Sequence, residues 1–192
     1  MNWKNDSHHY GSPLVAIHWL TLALLVGVYA TIELHDLAPK GSALRADLKL
    51  WHFALGLAVF ALVGARLVAR LFSGPTPVIE PGVGRWQMRS AHFLHAALYV
   101  FLVAMPLLGW FTVSAAGKPV LFLGVELPAL LSPDKGLSKS LEGLHETLGE
   151  LGYWLIGLHA AAALLHHYWM HDDTLVRMLP EHTAPEPLRS GS

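Results

Sequence analysis

Apolar residues along this chain gather into four long runs instead of the short alternations that mark strands. A membrane span needs about twenty mainly apolar residues, each rising about 1.5 Å along the helix axis. Leu14 to Ile32 carries no charge, Leu50 to Leu71 none before Arg66, and Ala91 to Ala116 none at all. A fourth run extends from Leu141 to Met170 and is uncharged from Leu151 onward. The pattern predicts spanning helices over approximately residues 14–34, 50–72, 88–116 and 141–170. Pro106 lies inside the third and is expected to kink it. Arg66 and Arg70 stand near the end of the second, where long side chains can snorkel to the headgroups. Three polar stretches rich in Gly and Pro connect the runs, and the last of them, GKPVLFLGVELPALLSPDKGLS, is apolar enough to lie along the membrane interface. The predicted fold is all-α: an integral membrane four-helix bundle forming one domain over residues 1–180, with a disordered Pro-rich tail over 181–192.

Composition agrees with a bilayer environment. Of the 192 residues, 53% are hydrophobic and only 14% charged, against roughly a quarter charged in soluble domains. The formal net charge of −1 gives nucleic acid nothing to attract. The first apolar run is too long for a signal-peptide core and no small-residue cleavage site follows it, so it reads as an uncleaved span. Cysteine is absent, which excludes disulfides, thiolate metal sites, Fe–S clusters and covalent haem attachment. Any haem is therefore held noncovalently, with His or Met on its iron. With the N-terminus inside, Lys4, Arg66, Arg70, Arg85, Arg89, Arg177 and Arg189 lie on the cytoplasmic side. Lys40, Arg45, Lys49, Lys118, Lys135 and Lys139 then lie outside, and the basic flanks of the second connection favour this orientation.

The remaining signal is histidine, thirteen of them against thirteen Lys plus Arg. A buried imidazole in hydrocarbon must be satisfied by something. On the fourth span His145 and His159 are fourteen residues apart, which at about 100° per residue returns the side chain to within roughly 40° of one face, displaced by about 21 Å. That helix offers imidazoles at two depths. His18 on the first span matches the inner depth and His52 on the second matches the outer, so His18 pairs with His159 and His52 with His145. Two such pairs suit two b-type haems, each with both axial positions filled by His. Gly149, Gly152, Gly157 and the alanines 160–163 keep the fourth helix low enough for a flat macrocycle or a neighbouring helix.

Other histidines divide by position. His92 and His95, near the cytoplasmic end of the third span, are candidates to contact a haem propionate or to cap the bundle. His166 and His167, with Asp172 nearby, are candidates for holding a quinone carbonyl and relaying protons, because imidazole titrates near neutral pH; a solvated helix end is the alternative. His8, His9, His35 and His182 read as solvated loop residues. The run HAAAALLHH superficially resembles a non-haem di-iron histidine box, but its candidate ligands are dispersed over two depths. A cofactor-free proton path through the histidines is a further alternative.

AIHWL, LWHFALG and above all LHETLGELGYWLIGLHAAAALLHHYW followed by DDTLVRMLP resemble the bacterial cytochrome b561 family, over essentially residues 10–180. The resemblance is strongest to the branch that oxidises superoxide with ubiquinone as acceptor in the bacterial inner membrane. It implies the same four ligands, and it adds a quinone site in which His166 matches a family histidine. Superoxide then gives electrons to the outer haem, the inner haem receives them, and ubiquinone is reduced with uptake of two protons. A positive outer face bearing Lys40, Arg45, Lys49 and Lys118 would draw superoxide in, so its oxidation is expected to slow as ionic strength rises. The wider superfamily offers a second expectation: a haem b anchor subunit of a membrane dehydrogenase or hydrogenase, taking electrons from a protein donor.

Overall fold

A computed structural model describes residues 3–5, 10–75 and 84–179 of the chain. His8, His9, His182 and the tail 181–192 lie outside these residues. Four helices carry the architecture: α1 (Ser12–Leu37), α2 (Ala43–Phe72), α3 (Arg85–Ala115) and α4 (Lys135–Tyr168). All four are long and apolar enough to cross a membrane. Each apolar run thus forms one helix, and α3 continues through Pro106 without interruption.

The helices overrun the apolar runs, chiefly at the N-terminal ends of α2 and α4. Hydropathy reports only the part of a helix that meets hydrocarbon, whereas the ends are set by capping groups. The Ser42 hydroxyl accepts from the Arg45 N–H (3.2 Å) at the start of α2, and the Asp134 carboxylate accepts from the Leu137 N–H (3.0 Å) at the start of α4. The 34 residues of α4 extend about 51 Å, well beyond a hydrocarbon core of about 30 Å.

The third connection holds structure of its own. It folds into a hairpin of β1 (Val120–Phe122) and β2 (Val125–Leu127), paired antiparallel with Val120 opposite Leu127. Leu123 and Gly124 form its two-residue turn with φ of 50° and 81°, the signature of a type I′ turn, in which Gly is at ease and Leu is not. Val120 buries itself against Leu57 of α2 and Val113 of α3. The rest of the connection is tied to the end of α3: the Trp110 indole donates to the Pro128 carbonyl (3.1 Å) and the Leu130 N–H to the buried Ser114 hydroxyl (3.2 Å).

Packing is tightest within the α1–α2 and α3–α4 hairpins, with α2 against α3 joining them. α4 approaches α1 closely near Gly149 and Tyr153. The Tyr29 hydroxyl donates to the Gly149 carbonyl (2.9 Å), and the Tyr29 and Tyr153 rings lie 4.3 Å apart. Tyr153 in turn donates to Glu33 (2.6 Å), so the polar groups at this crossing answer one another. A Cβ added to buried Gly152 would overlap the Tyr29 hydroxyl and the Phe101 ring. Outward-facing Trp154, Leu158, Leu165 and Phe93 are exposed, as lipid-facing residues should be.

Replacing Gly152 with Val is therefore expected to destabilise the bundle by about 1–3 kcal/mol. Gly143→Ala, where a Cβ meets nothing, should be neutral or stabilising by up to about 1 kcal/mol. Thermal unfolding of the two variants in detergent measures both.

Candidate cofactor and quinone site

At the level expected to lie outward His52 of α2 faces His145 of α4 with ring centroids 6.0 Å apart. At the inner level His18 of α1 faces His159 of α4 at 6.3 Å. An imidazole nitrogen sits about 2 Å from a first-row metal with its ring centre about 1 Å behind, so two rings sharing one iron have centres about 6 Å apart. Direct hydrogen bonding would draw them closer. Both gaps therefore fit a metal between the rings.

Further details at the outer level agree. The His52 Nδ1–H donates to the Val28 carbonyl (3.0 Å), which leaves Nε2 as the nitrogen with a lone pair and fixes the ring for a ligand on that side. The buried His145 Nδ1 makes no hydrogen bond of good geometry, the Met105 backbone of α3 being within its reach. Gly109 of α3 lies against this ring, since a Cβ there would stand 3.4 Å from His145 Cε1. An apolar cleft, open on one side, runs between His52, Phe53, Gly56, Trp110, Leu121 and His145. Apolar walls around convergent imidazoles have the character of a cofactor site.

The inner level holds more than the pair. His95 of α3 stands 5.3 Å from His159, centroid to centroid, on its other side. Arg66 of α2 is not snorkelling: its Nη1 lies 3.1 Å from His18 Nδ1 and donates to it. The signal for this was present, because Arg66 follows His52 by fourteen residues, the same interval that separates His145 from His159. Gly109 follows His95 by the same interval. His92 turns away; its Nδ1–H donates to the Met88 carbonyl one turn back (2.7 Å). Of the two α3 histidines, only His95 joins the cluster. Among the described residues no group of three or more His, Asp or Glu converges as a metal cage, which sets this arrangement apart from a di-iron histidine box.

At the C-terminal end of α4, the His166 Nδ1–H donates to Asp172 Oδ2 (2.5 Å), and the Thr174 N–H donates to the other carboxylate oxygen (2.9 Å). Partial burial pushes the Asp172 carboxyl up, but the hydrogen bonds from Thr174 and His166 outweigh it and hold the group below its ordinary value. Beyond Asp172 the chain makes a short 3₁₀ turn, Val176–Met178, and the Trp19 indole of α1 donates to the Met178 carbonyl (2.7 Å). His166 is thus joined to a carboxylate, whereas the half-buried His167 ring rests edge-on against Tyr168 (4.8 Å).

His35 corrects its sequence assignment. It lies in the last turn of α1, with a side chain only 13% exposed, bonded to Asp36 (2.9 Å), and is no solvated loop residue. Two of the outer cations are engaged as well. Arg45 donates to the His35 and Ala38 carbonyls (2.7 and 3.0 Å) and pairs with Asp36, closing the end of α1. Lys49 pairs with Glu142 (3.5 Å) and lies over the Phe53 ring.

Four membrane-length helices with imidazoles facing each other at two depths define an integral membrane electron-transfer cytochrome. Residues 9–181 match the family model of the prokaryotic cytochrome b561, and the chain belongs to that family, whose members bind haem b. It is 35% identical over 174 residues to cytochrome b561 homolog 1 of Escherichia coli (strain K12), covering 90% of this chain and 98% of the relative. It is 34% identical over 172 residues to a probable superoxide oxidase, CybB, of Yersinia pestis, covering 90% and 96%. A third relative, cytochrome b561 homolog 2 of Escherichia coli (strain K12), is 30% identical over 194 residues, covering 93% and 95%. The chain is a multi-pass bacterial membrane protein.

The Asp172 bond carries a pH prediction. A carboxyl held low in the native state lends stability to the C-terminal turn in full above its ordinary value of about 3.9, and loses it as pH falls through the lower native value. Amide protection over 172–179 should therefore decline in acid. Asp172→Asn should show protection reduced about tenfold already at neutral pH, measured by hydrogen exchange; a wild-type profile flat in acid contradicts the assignment.

Proposed function

We propose that this chain is a di-haem b superoxide:ubiquinone oxidoreductase of the bacterial inner membrane, with both termini cytoplasmic. The observation that carries the cofactor count is the pair of imidazole gaps, 6.0 and 6.3 Å, one at each end of the bundle. His52 and His145 would hold the outer haem iron, and His18 and His159 the inner. Haem b held by two imidazoles at each level would supply one-electron transfer between the two faces of the membrane instead of oxygen activation.

The net reaction balances as two superoxide plus ubiquinone plus two protons giving two dioxygen plus ubiquinol. Superoxide meets the protein at the outer end, beside the cleft between His52 and His145. The quinone belongs at the inner end, where the His166–Asp172 couple stands near the bilayer surface. There the Asp172 carboxylate orients His166 by accepting from Nδ1–H, so that a proton taken up at Nε2 can be donated to a quinone oxygen and passed on. His95 contributes a further polar wall to the inner site, while His92 and His167 serve the helix surface. The similarity to a probable superoxide oxidase supports the choice of donor.

A reduced-minus-oxidised spectrum with haem quantification tests the cofactor assignment. Two haems b per chain are expected in the wild type, and one in each of His52→Ala and His159→Ala. A single haem in the wild type breaks the pairing. In a superoxide-generating assay the purified chain should reduce ubiquinone without a partner, and His166→Ala should slow quinone reduction by about 10²-fold or more while both haems remain. Activity that requires a co-purifying donor subunit instead would make the chain the electron-transfer anchor of a larger enzyme.

A further inference from the structure

Arg66 poses a problem that the function above does not absorb. It is a guanidinium within a membrane-spanning helix, half-buried, at the level of His18, His95 and His159. Charged groups at such depth are held by a counter-charge or by several acceptors. Among the described residues no carboxylate lies within ion-pair distance of Arg66, and the acceptor recorded for it is His18 Nδ1. That acceptor is not compatible with the ligand role of His18. An imidazole that gives Nε2 to iron carries its proton on Nδ1, and two donors cannot face each other. With His18 on iron, the guanidinium must turn to another acceptor within reach, and an anion best meets the need.

We propose, resting on the di-haem reading, that Arg66 takes a carboxylate of the inner-level porphyrin and, by its charge, makes the inner haem the easier of the two to reduce. The fourteen-residue interval between His52 and Arg66 puts the guanidinium on the α2 face that bears the outer ligand, one haem level further in. The two levels are therefore tuned in opposite directions. The outer ligand His52 donates from Nδ1 to the Val28 carbonyl, which makes it a stronger base and favours oxidised iron. The inner site lies beside a fixed positive charge, whose field reaches His18, His95 and His159, and a cation favours arrival of an electron. One electron then passes inward, the outer group being oxidised and the inner reduced, with no bond made or broken. Arg66 is a positioning residue: it acts on the driving force and touches neither superoxide nor quinone.

Redox titration of the full-length purified protein, without added quinone and followed by haem absorbance, resolves two one-electron couples. Arg66→Gln should lower the upper couple alone, reducing the electron's preference for the inner site about tenfold or more, which is about 59 mV for a one-electron couple. Arg66→Lys, which keeps the charge, should stay close to wild type. Loss of one haem from Arg66→Gln with both retained in Arg66→Lys also supports the carboxylate contact, and the Lys titration then reads the potential. Unchanged couples in Arg66→Gln, movement of the lower couple, or loss of a haem from both variants overturns the proposal. So does a defect confined to quinone binding with both couples intact. A wild type holding fewer than two haems is a different failure, that of the di-haem assignment itself.

Discussion

An imidazole inside a bilayer cannot fall back on water. Everything notable in this bundle follows from how that constraint is met. Hydrocarbon offers no acceptor for the ring N–H and no donor for its lone pair, so each nitrogen must find a partner within the protein or on something the protein holds. His52 answers one nitrogen with the Val28 carbonyl, and His166 answers with Asp172. Across the two gaps, no hydrogen bond joins the facing rings among the described residues. The requirement is local, but its solution is global, because it fixes which helices must stand opposite which.

The bundle meets that requirement with little interior of its own. Only a handful of apolar residues are deeply buried, among them Val59 and Val63 of α2 and Ala115 of α3. Stability of the pairwise hairpins rests on small residues, tyrosine hydrogen bonds and capped helix ends, not on a continuous core. In a family that binds haem b, a flat cofactor bound between these helices would add contacts that the side chains alone do not supply. The outer connection contributes by packing Val120 between Leu57 and Val113, which walls the outer cleft.

Much of this was legible in the chain, for reasons that differ element by element. The four apolar runs determined the helices because only helices satisfy the backbone in lipid, and the fourteen-residue interval on α4 determined the two histidine levels because helical phase is arithmetic. The hairpin at Val120–Leu127 escaped because FLGV places Leu123 at a left-handed position that Leu seldom takes, so no turn signal stood out. His35 and Arg45 escaped because their burial depends on Asp36 and on the open carbonyls at the end of α1. Arg66 looked like a snorkelling cation at a helix end; only its facing partner on α1 shows that it points inward. Polar residues whose partners lie on another helix are the ones a linear pattern conceals.

The vertical offset between the two histidine levels is set within α4 alone, by thirteen intervening residues of one unbroken helix. Loops may lengthen, neighbours may shift and the lipid may thicken, yet a rise of about 1.5 Å per peptide unit keeps that spacing constant. Since electron tunnelling weakens steeply with separation, redox groups held at those two levels would have their transfer rate protected by covalent geometry from drift elsewhere in the sequence.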